Sequence, residues 1–564
     1  MTAIYYIWRR NHSLWRRTLP IAVLLLTLLA IAAPLRVSAH ASLVTAVPEP
    51  NTRLAEPPPS ITLTFNERLD AGLFYIKVYN EDGDSVTNAA AVMTADQTGV
   101  SLPLPKLPEG AYLVSYHVIS ADGHPVSGSY PLAIGPGSPE AAITVPSNPA
   151  SGGHAHGFSD GFGVEKAGKF LSRGIYFAAL LAAAGWAFWI HLASSGTPTA
   201  VQAAAGESRQ SWRTWTTNTL RVHVIALLFL IATHAPDYVG EGGWDEVVQL
   251  FTSTSIGLNW VASFALGLIG LVVVGRSRYL DIAWAAALLL VKSLSGHANA
   301  ASAQPWPIVA DYVHLLGAAV WVGGMWAVLA SLNIDRSTTM GLLRRFSPAA
   351  LMSIVLLTVT GIISTVLYVP KLSYLLYAEW GYTLIAKIVL VAAVVIVAAF
   401  LRFRIRSTDD PMRVKRLLTA EVSLIAAILL AVGVLTYLPP KPQNEPFYWH
   451  KMGPPLHVTA TITPNVPGAD NTVTAVVWLP KEAGDPKQVR VQLSSLDNKE
   501  IAPISIPVVQ VEKTGNDASY GDLQRYTYRA QGPYVPFGGS WKLTVTVRNS
   551  NDDELQEEQT FRVF

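Results

Sequence analysis

Apolar residues follow two different patterns along the chain. Between residues 165 and 440 they form eight long runs, each near the length of about 20 residues that a helix needs to cross a bilayer. In residues 40–136 and 441–564, apolar and polar positions alternate over short stretches bounded by turn-forming residues, which is typical of β-strands. The predicted membrane spans are 170–193, 217–234, 256–274, 280–296, 307–331, 346–368, 380–402 and 416–438.

The charged residues between these runs predict an orientation. The connections after the first, third, fifth and seventh runs are rich in arginine, whereas the alternate connections carry acids or almost no charge. Cytoplasmic loops carry the excess of Lys and Arg. We therefore expect both alternating regions to lie on the extracytoplasmic side of the cell membrane.

The first 39 residues have the order of a secretory signal peptide. Four arginines without an acid precede the apolar run 19–35, and a small residue, Ala39, precedes the expected cut. The alternative is an uncleaved membrane anchor, because the run is only slightly short of a span. Cleavage after Ala39 would make His40 the first residue of the mature chain.

These patterns predict a multi-domain membrane protein. We expect an all-β sandwich in 40–136, an all-α eight-helix bundle in 165–440 and a second all-β sandwich in 441–564. Residues 137–164 are rich in Pro, Gly and Ser and predict a flexible tether. We expect this tether to be the only connection between the first sandwich and the bundle.

Composition narrows the chemistry. Of 564 residues, 50% are hydrophobic and 14% are charged, and the formal net charge is only +2. That balance fits a polytopic membrane protein and gives no sign of nucleic-acid binding. The chain has no cysteine, so any soft metal must be bound by His, Met and carboxylate side chains.

A metal site is predicted in the first sandwich. An N-terminal His40 offers an amine and an imidazole together, and Asp122 and His124 flank Gly123 in a turn after a long strand run. Glu67 lies at the end of another predicted strand. Two imidazoles, an amine and a carboxylate suit square-planar Cu(II). Taken alone, Asp-Gly-His is also an ordinary turn sequence.

The bundle contains candidates for a copper path. His234, His297 and His314 lie near the outer ends of their spans, and His314 shares a helix face with Trp321 and Met325 at 100° per residue. Ionisable groups inside a span are costly and usually functional. The alternatives are that His234 and His297 reach towards interfacial water and that Met325 only packs.

Other histidines have simpler explanations. His191 and His223 lie near the predicted inner face, where they could form an exit site or contact lipid headgroups. In the tail, His450, Met452 and His457 suggest a metal site, but the alternating strand that starts at His457 explains that residue by surface exposure.

The first sandwich resembles the CopC family of extracytoplasmic copper-binding proteins. The resemblance rests on HASLVTAVPEPN, ITLTFNERLD and GAYLVSYHVISADGHPVSGSYPLAIG, which cover nearly all of 40–135. It implies a Cu(II) site at the mature amine, His40, Asp122 and His124, with Glu67 as a weak or outer ligand. Only one methionine, Met93, lies in this domain, unlike the forms with a methionine-rich Cu(I) site.

The bundle resembles the CopD family of copper-transport membrane proteins. The matching segments include LSGHANA, DYVHLLGAAVWVGGMWAVL, FSPAALMSIVLLTVTGIIS and WGYTLIAKIVL, and the H-x6-W-x-GG signature lies in the second. The chain thus resembles a CopC–CopD fusion, and its tail is similar to the YtkA-like β domains attached to some fusions.

Three functions follow from these observations. The first is copper acquisition, in which the outer domain captures Cu(II) and the bundle passes copper inward. The second is extracytoplasmic sequestration or resistance without transport. The third is a copper-dependent oxidative enzyme, but the Asp122 carboxylate would occupy a position that oxygen chemistry needs open. We expect no catalysis, with copper ions and membrane lipid as partners and an extracytoplasmic copper donor or a cytoplasmic copper chaperone as candidates.

Overall fold

The computed structural model describes most of the chain outside its N-terminal and tether segments. The described residues form two compact units: the tail from 444 with residues 43–45, and the rest of the described residues up to 438. The described residues are 41–135 without 42, 49, 51, 88 and 122; 163–194; 205–295 without 241; 306–332; 336–369; 372–407; 411–438; and 444–564 without 445, 454, 455, 464, 469, 499 and 515–522.

The first domain is a β-sandwich, as the alternation predicts. One sheet has the order β2-β8-β7-β4, and the other contains β3, β6 and β5. Inward residues such as Ile61, Leu63 and Val114 are fully buried. The strands are β1 Leu43–Val47, β2 Thr52–Leu54, β3 Ser60–Phe65, β4 Leu69–Tyr79, β5 Val92–Met93, β6 Gly99–Pro103, β7 Gly110–Ser120 and β8 Pro125–Ile134.

Nine α-helices are described between the two β regions. Seven of the described helices are long and apolar enough to cross a membrane. The helices are α1 Val164–Ser194, α2 Ala205–Val239, α3 Trp244–Ser253, α4 Ser255–Val273, α5 Arg278–Ser293, α6 Trp306–Ser331, α7 Arg336–Tyr368, α8 Glu379–Ser407 and α9 Pro411–Leu435.

The fourth of the eight predicted spans is the exception. It corresponds to α5, which has only 16 residues, or about 24 Å of helix at 1.5 Å per residue. Its first turn contacts the C-terminal end of α1, where the His191 and Asp281 side chains are 2.8 Å apart. Its last turn places Lys292 over the Phe177 ring, near the middle of α1. The helix therefore runs alongside the C-terminal half of α1.

Glycines allow a close helix contact between α1 and α6. A Cβ on Gly323 would overlap the backbone of Gly185, and a Cβ on Gly185 would overlap the Ala319 carbonyl. A side chain at Gly324 would meet the Phe346 ring. Gly323 and Gly324 of α6 therefore allow close packing of the neighbouring helices.

The sandwich contacts the bundle directly, so the expectation that only the tether connects them is wrong. The Ser255 amide, at the start of α4, donates to Asp70 Oδ2 at 3.0 Å. Gly72 lies so close to the Ser253 backbone that a Cβ would overlap it. The buried side chains of Leu73 and Ile119 belong to the same apolar core as the helices. Linker composition says nothing about such contacts, because they depend on the surfaces that the tether brings together.

The tail is also all-β. Its two sheets have the orders β14-β15-β11-β10-β9 and β13-β12-β16-β17. Val473, Val491 and Trp541 are among the fully buried residues between them. The strands are β9 Phe447–Lys451, β10 His457–Thr463, β11 Asn471–Pro480, β12 Gln488–Ser495, β13 Ile504–Ile506, β14 Val509–Thr514, β15 Leu523–Gly532, β16 Gly539–Arg548 and β17 Glu554–Val563.

Candidate metal sites and the domain interface

His124 lies in the tight turn between β7 and β8. Gly123 has a positive φ of 84°, which favours glycine. The turn is closed by hydrogen bonds from Gly123 N to Ser120 O and from Ser120 N to His124 O, both 2.9 Å. The His124 side chain is buried. The backbone thus holds this turn in one conformation, with the imidazole buried.

Glu67 lies in the neighbouring turn, between β3 and β4. The two turns are joined by a hydrogen bond of 2.9 Å from Ala121 N to Arg68 O. The structure therefore brings together the two segments that carry His124 and Glu67. The other predicted ligands, His40 and Asp122, lie outside the described residues. Within the part of the chain that is described, no three His, Asp or Glu side chains form a group that could hold a metal ion.

The turn that carries His124 is held against the C-terminal end of α2. The Tyr238 hydroxyl donates to the Gly123 carbonyl at 2.7 Å, and the Tyr238 ring packs edge-on against Trp260 of α4. The Tyr238 carbonyl is 2.8 Å from His117 Nε2. Gly123 lies between Asp122 and His124, the two predicted ligands of the turn. Tyr238 of α2 therefore contacts this turn through its hydroxyl group. It contacts His117 of the sandwich through its backbone carbonyl.

His117 and Tyr238 were not identified from the sequence. His117 is almost fully buried, with Nδ1 2.7 Å from Ser127 Oγ and its ring stacked on Tyr75. Its position on β7 reads as an ordinary polar position of an alternating strand. Only the assembled interface shows that it binds the end of α2.

His234 is buried one turn before Tyr238 on α2. Its Nε2 accepts a hydrogen bond of 2.8 Å from Arg173 Nε, and its Nδ1 is 3.1 Å from the Leu230 carbonyl. In this arrangement both nitrogens of His234 are engaged, so copper could bind there only after Arg173 moves away.

His314 lies on α6 with its Nδ1 2.8 Å from Thr360 Oγ1 of α7. Met325 is buried on the same helix, eleven residues later and so about 16 Å along the axis at 1.5 Å per residue. Trp321, between them, is buried, and its indole Nε1 has no hydrogen-bond partner among the described residues. His314 and Met325 are therefore too far apart to bind one copper ion together, but each could bind copper in turn along a path. His297 lies outside the described residues.

His223 does not face lipid headgroups, whereas the exit-site prediction for His191 stays open. His223 is fully buried beside Tyr176, and neither ring nitrogen has a hydrogen-bond partner among the described residues. It lies eleven residues before His234, which at 100° per residue puts both on one face of α2. His191 contacts Asp281, whose carboxylate also accepts from Gly275 N at 2.8 Å. The eleven-residue spacing was a signal that the sequence already contained.

Two family models match the chain. The CopC domain matches residues 43–135, and Copper resistance protein D matches residues 340–435. This chain is a CopC–CopD fusion.

Known proteins are similar to most of this chain or to its first domain. The copper transport protein CutJ of Bacillus subtilis is 28% identical over 560 residues, which cover 93% of this chain and 95% of CutJ. Protein YobA of Escherichia coli K12 is 32% identical over 98 residues, or 17% of this chain and 79% of YobA. The solved structure of CopC from Methylosinus trichosporium OB3b is 30% identical and covers 17% of this chain and 95% of that one, with a TM-score of 0.17.

The family models leave much of the fusion unmatched. The CopD match begins in α7, so the H-x6-W-x-GG signature that starts at His314 lies before it. The tail lies beyond both matches, and its YtkA-like character stays a prediction. CutJ, in contrast, aligns over almost the whole length of the fusion.

Proposed function

We propose that this protein acquires copper: the CopC domain captures Cu(II) outside the cell, and the helical domain passes copper across the membrane. The similarity to a copper transport protein over 93% of the chain supports transport as the overall activity. The proposal places both β domains on the extracytoplasmic side. It involves no catalytic step, and copper is the cargo.

The capturing site consists of the mature N-terminal amine, His40, Asp122 and His124. These nitrogen and carboxylate donors suit Cu(II), and the chain has no cysteine to compete for it. Glu67 serves as a weak or outer ligand, because its turn is hydrogen-bonded to the turn of His124. The rigid closure of that turn around Gly123 reduces the ordering that metal binding requires.

The observation that carries the transfer step is the contact between this turn and α2. A copper ion released at His124 starts next to the outer end of a helix that bears His234 and, three turns deeper, His223. Arg173 holds the Nε2 lone pair of His234 in the described state. Movement of Arg173 would therefore open the first stop in the membrane, which makes Arg173 a gate for a cation.

Deeper stops are supplied by side chains that soft or borderline metals favour. His314 and Met325 lie on α6 with Trp321 between them, and His223 is a buried imidazole without a hydrogen-bond partner in the described part of the chain. Imidazole and thioether groups bind copper well. The His191–Asp281 pair lies at the opposite end of α1 and is the candidate exit.

The test is whole-cell copper content under copper starvation in His124→Ala and His314→Ala cells with matched membrane expression. Transport predicts that each change abolishes accumulation, and that purified His314→Ala protein still binds Cu(II), because His314 contacts α7 and not the domain interface. Thr358→Val, a lipid-facing change on α7, is the matched control. Normal accumulation in His314→Ala cells would remove His314 from the path.

Sequestration without transport is the second candidate, and the occupied ring of His234 favours it. A sequestering protein would lose its protective effect on change of His40 or His124 and would be indifferent to His314. Copper tolerance and copper content of the same strains separate the two functions. Replacing His314 should lower the copper content of the cells only if the protein transports copper.

A further inference from the structure

Two histidines and a tryptophan of the tail meet on one face of a sheet. His450 Nε2 and His457 Nε2 are 3.3 Å apart. The centroids of the Trp478 and His457 rings are 4.5 Å apart, and the two ring planes form an angle of 31°. His457 is 2% exposed, so the expectation that it points to solvent as an ordinary alternating strand residue is wrong.

The strand register explains why these side chains converge. His457 on β10 is paired with Trp478 on β11, and His450 on β9 is paired with Thr459 on β10. Residues 457 and 459 share a face, because side chains alternate along a strand. The cluster is thus built from three adjacent strands and is as rigid as the sheet.

Met452 stands next to this pair. The last registered pair of β9 and β10 is Lys451 with Val458, so one further step puts Met452 across from His457. β9 is the edge strand of its sheet, and Met452 is 69% exposed. A metal ion could therefore reach the buried imidazole from the edge that carries the thioether.

The distance between the imidazoles fits a bridging metal ion. With metal–nitrogen bonds of about 2.0 Å, as imidazole forms with zinc, a separation of 3.3 Å corresponds to an N–metal–N angle of about 110°. That angle leaves room for a third ligand in a trigonal or tetrahedral arrangement. Without metal, the two Nε2 atoms share one proton, which the ion would replace.

The contacts around the rings favour the metal-binding form. His450 Nδ1 is 2.8 Å from Thr459 Oγ1. When Nδ1–H donates to that hydroxyl, Nε2 keeps its lone pair for a metal, as in metal sites whose second nitrogen is hydrogen-bonded. The Trp478 face adds an electron-rich surface that attracts a cation.

We propose that the tail binds Cu(I) through His450 and His457, with the Met452 thioether as third ligand and the Trp478 ring covering the ion. Imidazole and thioether donors without a carboxylate select Cu(I), whereas the CopC-domain donors select Cu(II). The tail would then hold copper in the other oxidation state. This proposal does not depend on transport.

The experiment compares Cu(I) binding by detergent-purified full-length chains, under anaerobic reducing conditions, against a chromophoric Cu(I) chelator. Wild type should bind one equivalent more than the double variant His450→Ala/His457→Ala. Met452→Leu should keep the stoichiometry and weaken this equivalent at least tenfold. Thr461→Ala, on the same face of β10, is the matched control and should bind like wild type.

Two further measurements serve as controls. Thermal unfolding of the metal-free chains shows whether the double variant is folded. If it is not, the single variant His450→Ala, which changes the less buried ring, is used instead. Trp478→Phe should remove part of the Cu(I)-dependent fluorescence change. Equal Cu(I) stoichiometry in wild type and a folded variant would overturn the proposal, and so would preferential binding of Zn(II) at these imidazoles.

The outcome is independent of the proposed function. His124→Ala removes the CopC-domain site without changing the tail. The Cu(I) equivalent bound by the tail should therefore persist in this variant. A transport failure with intact Cu(I) binding would reject only the acquisition model. Intact transport with no Cu(I) equivalent assigned to His450 and His457 would reject only the tail site.

Discussion

Replacing Tyr238 with Phe should loosen the contact between the copper-binding turn and α2. The change removes the hydroxyl that donates to Gly123 O at 2.7 Å and keeps the ring that packs against Trp260. A hydrogen bond contributes about 1 kcal/mol net, and a carbonyl left without a donor can cost up to about 3 kcal/mol. The undocked fraction should therefore rise by about 5-fold to 150-fold.

Hydrogen–deuterium exchange of the full-length protein in nanodiscs measures this fraction. The Ser255 amide donates to Asp70 Oδ2 across the same interface, so its peptide should exchange faster in proportion to the undocked population. Cu(II) affinity should stay unchanged, because the turn keeps its own hydrogen bonds. Copper accumulation should fall.

The control is Tyr279→Phe, which removes a hydroxyl from a tyrosine that is 83% exposed. It should leave both exchange and accumulation at wild-type levels. Unchanged exchange of the Ser255 peptide in Tyr238→Phe would refute the role of this hydrogen bond in docking. Faster exchange with full copper accumulation would refute the claim that docking serves transfer.

Three more predictions concern the outer site and the topology. The mature protein should begin at His40 and bind one Cu(II) in its first domain; N-terminal sequencing that found the initiating methionine retained would contradict this, since the amine would then be an amide nitrogen. His40→Ala and His124→Ala should each lower Cu(II) affinity by orders of magnitude, whereas Glu67→Gln should have a smaller effect in the same competition titration, and equal effects would mean that the ligand set is different. A protease added to intact spheroplasts should cleave within both 40–164 and 441–564; a protected tail would mean that one span, with the short α5 as first candidate, does not cross.

Periodicity predicted the class of each region because it reports burial directly. Alternation located both β regions, and run length located the helices that cross the bilayer. The short helix α3 was missed, because Asp245 and Glu246 in its first turn read as a polar loop. In the structure Glu246 accepts from Gly243 N at 2.7 Å, so the acid that suggested a loop stabilises the helix start.

The interface between the sandwich and the bundle could not be predicted from one sequence. Its contacts join residues far apart in the chain, such as Gly123 with Tyr238 and Asp70 with Ser255. Each residue has an ordinary local explanation, as a turn glycine, an interfacial tyrosine or a helix-start serine. Only the fold shows that they meet, and their meeting puts the turn that carries His124 next to the helix that carries His234.

His457 shows where a correct pattern leads to a wrong environment. Alternation places His457 on the opposite side of β10 from Val458, which is right, because Val458 is in the sandwich core. It does not follow that this side faces water. Trp478 is the cross-strand partner of His457, and His450 approaches from the edge strand, so aromatic rings surround the imidazole on a face that periodicity alone would leave to solvent. In this tail, a histidine lies opposite a tryptophan, and a second histidine and a methionine lie on the next strand. That arrangement favours a metal site more strongly than the alternating position of His457 argues against it.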